Sequence, residues 1–384
     1  MGLTPIAPRR AVKVGNGSAM TTKTLNAPTQ EGRARTLDQS RLDLLEPWLA
    51  KEIGASCAKI TAAELLAGGA VQENWRIDVS VDGGPRAGTH HWVLRTDAAA
   101  RLGVSLDRVA EFRCIEAAHK AGVMVAEPIV VSPDAALIGA PFAIQGLVAG
   151  SAQGRRLVRD PALPDFGDAL ARALGAELAR IHSLRPAAGL LPFLPVPIGN
   201  PNRRAVAEMR SAVDKASEAR PALEYIFSWL DKNAPAPKAL TLVHGDFRTG
   251  NYMVEQGRLT AVLDWEFCHW GDPREDIGWF VARCWRFGND DKVAGGIAKF
   301  ASLLEGYNSV AIDTIGAAEI PYFEVLAAAK WAAISLLQGD RFVTGGERSI
   351  ELILTGLMPP EMEFDALEII EKIAKGQPLS ARKT

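Results

Sequence analysis

The sequence predicts an α+β fold in two unequal parts, and three features carry that expectation. Strand-like segments with one helix among them fill the chain to about Gly150. A long amphipathic helical pattern takes over after Ser151. The 384 residues are enough for two domains and a substantial core. The expected parts are a disordered basic arm over 1–36, a small β-rich part over 37–148, and a larger, mainly helical part over 149–384. The hinge is expected between about Leu147 and Ser151.

Each element has its own signal. Leu42, Leu44, Leu45, Trp48 and Leu49 recur at near-helical spacing in "LDQSRLDLLEPWLAKEI". A glycine-containing loop, a strand, a turn at Asp82 to Pro85 and a strand through Trp92 to Arg95 come next. Leu106 to Ala121 reads as a helix, then "AEPIVV" and "PFAIQGLVAG" as strands. Beyond the hinge, Leu170, Leu174, Leu178 and Ile181 stripe a helix over Phe166 to Leu184, and Arg203 to Leu230 reads as another helical stretch. A hairpin with its turn at Gln256-Gly257 precedes helices to the C-terminus.

Composition excludes several classes. A hydrophobic content of 48% and a charged content of 23% are ordinary for a globular protein, and a net charge of −2 gives no general attraction to nucleic acid. The longest apolar runs fall short of the roughly 18 residues that cross a bilayer, so no membrane association is expected. Cys57, Cys114, Cys268 and Cys284 are scattered without CxxC spacing, which predicts free thiols and a cytoplasmic setting. Met1 to Arg35 carries six basic residues against Glu31 alone. A transit peptide and a start at Met20 both fit that arm.

Chemistry concentrates in "LVHGDFRTGNYMV", Leu242 to Val254, and in "LTAVLDWE" after it. Asp246 and Asp264 each sit at the end of a short apolar strand, and hairpin folding would bring both carboxylates to one edge. Two such acids repel unless a cation neutralises them. Magnesium suits the donors: Asn251 offers an amide oxygen beside Asp264, and phosphate oxygens would complete the shell. Asp272-Pro273-Arg274-Glu275 has the pattern of a helix cap, which gives Asp272 a structural role.

"HGDFRTGN", "LDWE" and "GDPREDIG", in this order between His244 and Gly278, together resemble the catalytic core of the aminoglycoside phosphotransferase family. The resemblance extends over about Ile60 to Ile370. It implies the two-lobed protein-kinase-like fold, with Asp246 as the catalytic aspartate that accepts or orients the substrate's hydroxyl proton and Asn251 and Asp264 as magnesium ligands. It also implies that His244 supports the loop and that Asp276 braces it through its backbone. In the first lobe, Gly68 and Gly69 match the phosphate-covering loop, where a plain turn is the competing reading. Arg95 stands where a protein kinase has lysine, and its planar fork suits both phosphate and a helical carboxylate. Glu111 is the preferred partner for it, with Glu116 read as a surface acid. Gln145, Gly146, Leu147 and Val148 match the strand and hinge that hold the purine.

The resemblance therefore implies a kinase using ATP or GTP and Mg2+ on a small-molecule hydroxyl. Trp279, Trp285, Arg283 and Arg286 follow the metal loop, with Arg341 and Arg348 further on. Tryptophans at helical spacing read first as core and the arginines as surface. If Trp279, Arg283 and Arg286 line the acceptor site, an apolar or anionic alcohol suits them better than a polycation, for which an acidic pocket is expected. The carboxyl-terminal half also resembles the branch of the family related to kinase domains linked to acyl-CoA metabolism, which points to hydroxyacyl-type acceptors. An antibiotic phosphotransferase, a non-catalytic nucleotide-binding regulator and a metal-dependent hydrolase are the alternatives.

Overall fold

The computed structural model describes residues 37–66, 72–97, 105–216, 218–345, 347 and 349–377. The expected basic arm, Gly68, Gly69 and Arg348 lie outside the described residues. The first part is a five-stranded antiparallel sheet. Its strands β1 (Cys57–Leu65), β2 (Gln72–Asp82), β3 (Gly88–Asp97), β4 (Pro128–Ser132) and β5 (Phe142–Gly146) stand in the order β1-β2-β3-β5-β4. Period-two alternation puts Trp75, Ile77, Val79 and Val81 of β2 on one face with Trp92 and Leu94 of β3. Helix α1 (Gln39–Glu52) closes that face with Leu45 and Leu49 and begins at Asp38, whose carboxylate accepts from the Arg41 N–H at 3.0 Å.

Strand β1 departs from the expectation, which placed no strand there. Only Ala58 and Ile60 of its nine residues are buried, so "CAKITAAEL" shows little alternation, and its pairing with β2 holds it as an edge. Helix α2 (Arg108–Lys120), capped by Asp107, packs beside β4 and β5.

The remainder is mainly helical. After the short α3 (Gly154–Val158), which the sequence reading passed over, α4 (Leu163–Ile181) turns Leu170, Leu174, Leu178 and Ile181 inward. The single stretch expected over Arg203 to Leu230 is two helices, α5 (Pro201–Val213) and α6 (Pro221–Lys232). Pro221 starts the second because a proline supplies no backbone N–H to a helix interior. Strand β6 (Thr241–Val243) pairs with β9 (His269–Gly271), while β7 (Tyr252–Glu255) and β8 (Arg258–Val262) form the hairpin expected around Gln256-Gly257. Then follow α7 (Arg274–Val281), a 3-10 turn (Arg283–Arg286), α8 (Phe300–Asn308), a second such turn (Ala317–Glu319), α9 (Pro321–Val343), α10 (Ile350–Gly356) and α11 (Pro359–Ala374).

A core of α4, α8 and the small strands carries the site. Glycine decides one contact within it: a Cβ on Gly175 of α4 would stand 2.1 Å from the Leu303 carbonyl oxygen, and one on Gly306 of α8 would stand 2.0 Å from that of Arg172. The two backbones meet where no side chain fits. The two parts join through short hydrogen bonds. Ser151 and Val254 exchange both backbone bonds at 3.0 Å, and the Leu106 N–H donates to the Glu266 carbonyl at 2.7 Å. Among the described residues, no helix is long and apolar enough to cross a membrane.

Candidate active site

Strand β6 delivers the chain into the loop His244 to Asn251. Gly245 sits at φ 83°, and a Cβ there would meet the Phe267 carbonyl oxygen at 2.3 Å, so the turn requires glycine. Asp276, on the first turn of α7, holds this turn from behind. Its carboxylate accepts from the His244 N–H at 2.7 Å and the Gly245 N–H at 2.9 Å, and His182 at the end of α4 lies 3.1 Å from it. Burial alone would raise the Asp276 pKa, but the His182 contact, the nearby His244 and the backbone donors outweigh it and hold the pKa at about 2.

His244 lies beneath the loop. Its Nε2 is 2.9 Å from the Leu263 carbonyl, and its Nδ1 accepts from the Asp246 N–H at 3.2 Å. Those partners fix the neutral tautomer with the proton on Nε2, and burial lowers the imidazole pKa in the same sense. The histidine links two loops, because Leu263 precedes Asp264 and its N–H donates to the Asn251 carbonyl at 2.8 Å. Asp246 and Asp264 thus approach through the crossing of two loops, not through one hairpin, since their strands β6 and β8 belong to separate sheets.

Three donors orient Asp246. Trp279 Nε1 donates to its Oδ1 at 2.8 Å, Arg248 Nε to the same oxygen at 3.1 Å, and Asn251 Nδ2 to its Oδ2 at 2.6 Å. Asn251 Nδ2 also donates to the Asp246 carbonyl at 2.9 Å, so both amide protons are committed and Oδ1 is left as an acceptor. The Arg248 guanidinium lies 4.5 Å from the Trp285 ring centre. Trp279, Trp285 and Trp331 pack against one another in tilted and edge-on arrangements, with the Lys330 ammonium 4.7 Å from the Trp279 ring centre and donating to the Gly245 carbonyl at 2.7 Å.

The opposite wall is a cluster of charges. Arg95 of β3 stands 3.4 Å from Glu111 of α2 and 3.6 Å from Asp264, while Arg108 also contacts Glu111. Glu116 pairs instead with Arg113 on the outer face of α2 at 2.5 Å. Asp264 is left-handed at φ 59°, a conformation that costs about 1–2 kcal/mol outside glycine and concentrates at functional positions. Removal from water, then the charges of Glu111 and Asp246, raise its pKa against the pull of Arg95; with 41% of its side chain exposed, Asp264 is a cleft wall and not a sealed core group. Burial and the charges of Glu111 and Asp264 also push Glu266 up to about 7. This corner is short of positive charge.

That shortage is what a bound magnesium would relieve, and the free oxygen of Asn251 and the carboxylate of Asp264 are hard donors of the right type. Among the described residues, no group of three or more His, Cys, Asp or Glu could hold a metal. Two protein oxygens plus ligand phosphates fit magnesium, whereas the all-protein cluster a metallohydrolase needs is absent from those residues.

The other expected residues fall as follows. Gln145 is buried in β5 opposite Val93. The Gly146 N–H donates to Glu127 and that of Leu147 to His91, while among the described residues nothing bonds the backbone of Val148. Asp272 caps α7, accepting from the Arg274 N–H at 3.1 Å while its own N–H donates to Glu275 at 3.0 Å. The structure does not gather Arg283 and Arg286 with Asp246. Arg283 pairs with Asp290 and Asp365, and Arg286 is buried against the Val281 and Asp290 carbonyls, since the 3-10 turn after α7 aims both away from the loop. Sequence reasoning missed His182, Lys330, Arg248 and Glu266. Arg248 and Glu266 lay inside the quoted motifs, but His182 and Lys330 are solitary residues on distant helices.

Known proteins share this fold. The phosphotransferase enzyme family profile matches residues 62–312. Acyl-CoA dehydrogenase family member 10 of Mus musculus is 31% identical over 201 residues, which are 49% of this chain and 18% of that protein. The chain thus spans a small share of that relative's length. A solved Ralstonia eutropha protein, whose aminoglycoside phosphotransferase assignment is itself provisional, superposes with a TM-score of 0.67 at 22% identity, covering 86% of this chain and 98% of that one. Spectinomycin phosphotransferase in complex with ADP and spectinomycin gives a TM-score of 0.53 at 12% identity, covering 85% and 98%. These likenesses show the kinase-like fold, and with the family profile spanning more than half of its length, the chain belongs to the phosphotransferase enzyme family.

Proposed function

We propose that this protein is a magnesium-dependent kinase that moves the γ-phosphoryl group of ATP or GTP to the hydroxyl of a small molecule. The observation that carries the reading is the Asp246 carboxylate, oriented by Trp279, Arg248 and Asn251 on a loop whose turn is held by Asp276. Phosphoryl transfer asks the protein mainly to position groups and offset charge. Asp246 accepts the acceptor's hydroxyl proton as that oxygen bonds to the γ-phosphorus, and the bond to the diphosphate breaks with its electrons leaving on the diphosphate. Asn251 and Asp264 hold the magnesium, which neutralises phosphate charge when bound. Arg95, steadied by Glu111, reaches the phosphates. The purine lies against the hinge, where the uncommitted backbone of Val148 is the natural contact, since Gly146 and Leu147 have already spent their N–H groups. A non-catalytic regulator has no need of a carboxylate so fully oriented.

The acceptor side favours an apolar or anionic alcohol. Three tryptophans with Arg248 and Lys330 stand beside Asp246, a setting that repels a polycation and suits an apolar body with negative charge. The partial match to an acyl-CoA dehydrogenase family member supports hydroxyacyl compounds as the first class to try. The test is a screen of hydroxyacyl compounds, other hydroxyl-bearing metabolites and aminoglycosides for acceptor-dependent ADP or GDP release. Release with a hydroxyacyl or other anionic alcohol is expected; release with aminoglycosides alone would replace the acceptor assignment.

A further inference from the structure

Several surface arginines among the described residues pair with an acid: Arg172 meets Glu305, Arg185 meets Asp313, and Arg204 meets Glu208. Helix α3 breaks that habit. Arg155, Arg156 and Arg159 are exposed, and among the described residues none has a carboxylate within ion-pair distance. All three line one open cavity of about 770 Å³, together with Gln153 and Asp160. The Asp160 carboxylate accepts from the Ala162 N–H at 2.9 Å, where the chain turns into α4, and is the one acid of the lining. Three guanidinium groups against the one carboxylate leave two positive charges in excess around the depression, and the three repel one another. An anion would relieve that cost, and the guanidinium fork matches phosphate oxygens.

The position of this cavity ties it to the site. Gly154, which also lines it, packs so closely on the catalytic loop that a Cβ would stand 2.9 Å from the Phe287 ring and 3.2 Å from Thr249 Cγ2. Thr249 is three residues past Asp246, and the hinge ends at Ser151, three residues before the start of α3. The corner assigned to the nucleotide's phosphates is built from other elements: Arg95 of β3, Asn251 and Asp264.

We infer that Arg155, Arg156 and Arg159 form an anion subsite that holds a phosphate-bearing portion of the acceptor, remote from the hydroxyl that Asp246 serves. This rests on the kinase reading and narrows it to acceptors that carry phosphoryl groups before the reaction. The competing source of the same chemistry is the donor nucleotide itself, and the test separates the two.

Inorganic pyrophosphate is titrated calorimetrically into the full chain saturated with a non-hydrolysable ATP analogue and Mg2+. Saturable binding is expected, and Arg155→Gln/Arg156→Gln/Arg159→Gln should weaken it by about tenfold or more while analogue affinity stays within about twofold. The three side chains are exposed and make no bond among the described residues, so the variant should fold, and an unchanged melting midpoint checks this. The inference is overturned if pyrophosphate does not bind the saturated wild type, or if it binds the variant equally well. It is also overturned if analogue affinity falls in step, which would give the arginines to the donor. Failure of the kinase reading looks different: the analogue itself would not bind, and pyrophosphate titrated alone would still report α3 through its loss in the variant.

Discussion

Asp276 is the residue on which the geometry of the loop turns, since one buried carboxylate holds two successive backbone N–H groups and faces His182. Its pKa of about 2 lies below the ordinary 3.8, so it stabilises the folded state at pH values above 3.8. That contribution, about 2 kcal/mol, is lost as pH falls from 3.8 towards 2. Asp276→Asn should therefore melt earlier at pH 7 and show a shallower fall in stability across that acid window, measured by denaturant titration at each pH. Trp279 offers a finer test. Trp279→Phe keeps an aromatic ring but removes the donor to Asp246, and loss of a charge-assisted bond of about 1.5–3 kcal/mol should lower kcat by about tenfold to a hundredfold with little change in nucleotide KM. Asp246, Asn251, Asp264 and Asp276 were visible in the sequence because they fall within one short stretch at fixed spacing. His182 and Lys330 reach the same loop from α4 and α9, and a solitary histidine or lysine on a helix has no spacing to read.

The pairing of α4 with α8 depends on glycine at the point of contact. Gly175→Ala and Gly306→Ala each push a methyl group into a carbonyl oxygen of the facing helix, and each should cost about 1–3 kcal/mol as overpacking, read from the urea midpoint. Leu174→Ala, at the same seam, should cost about 2–5 kcal/mol by leaving a cavity. The helices α1, α2 and α4, the strands β2 and β3 and the β7–β8 hairpin were legible, because burial on one face imposes a period of 3.6 or 2 on the sequence. Strand β1 was not, since an edge strand with two inward residues is held by its neighbour's hydrogen bonds, and those leave no mark on its own side chains. Helix α3 was missed for a related reason: five residues are too few to show a helical period.

At the scale of the molecule, the sheet and the helical part meet in a set of opposed charges, with Arg95 on β3, Glu111 on α2 and Asp264 on the loop after β8. Arg95 now shares itself between a helical acid and the proposed metal ligand, so nucleotide and magnesium together should draw the two parts into tighter register. The excess of carboxylates in that corner, with the pKa of Asp264 and of Glu266 both pushed up, is the reason a dependence on the cation is expected. The order of motifs foretold the two-part fold but not the aromatic cluster beside Asp246, whose tryptophans come from α7, α9 and the 3-10 turn after α7. The most direct measurement is the melting midpoint of the wild type, Asp264→Ala and Asp246→Ala with ATP or GTP, each with and without Mg2+. The account predicts a rise in wild type that requires Mg2+, loss of the Mg2+ requirement in Asp264→Ala, and a near wild-type response in Asp246→Ala, which keeps Arg95, Asp264 and the Asn251 bond to the backbone carbonyl of residue 246. No response of the wild type to either nucleotide, or an unaltered Mg2+ requirement in Asp264→Ala, would contradict it.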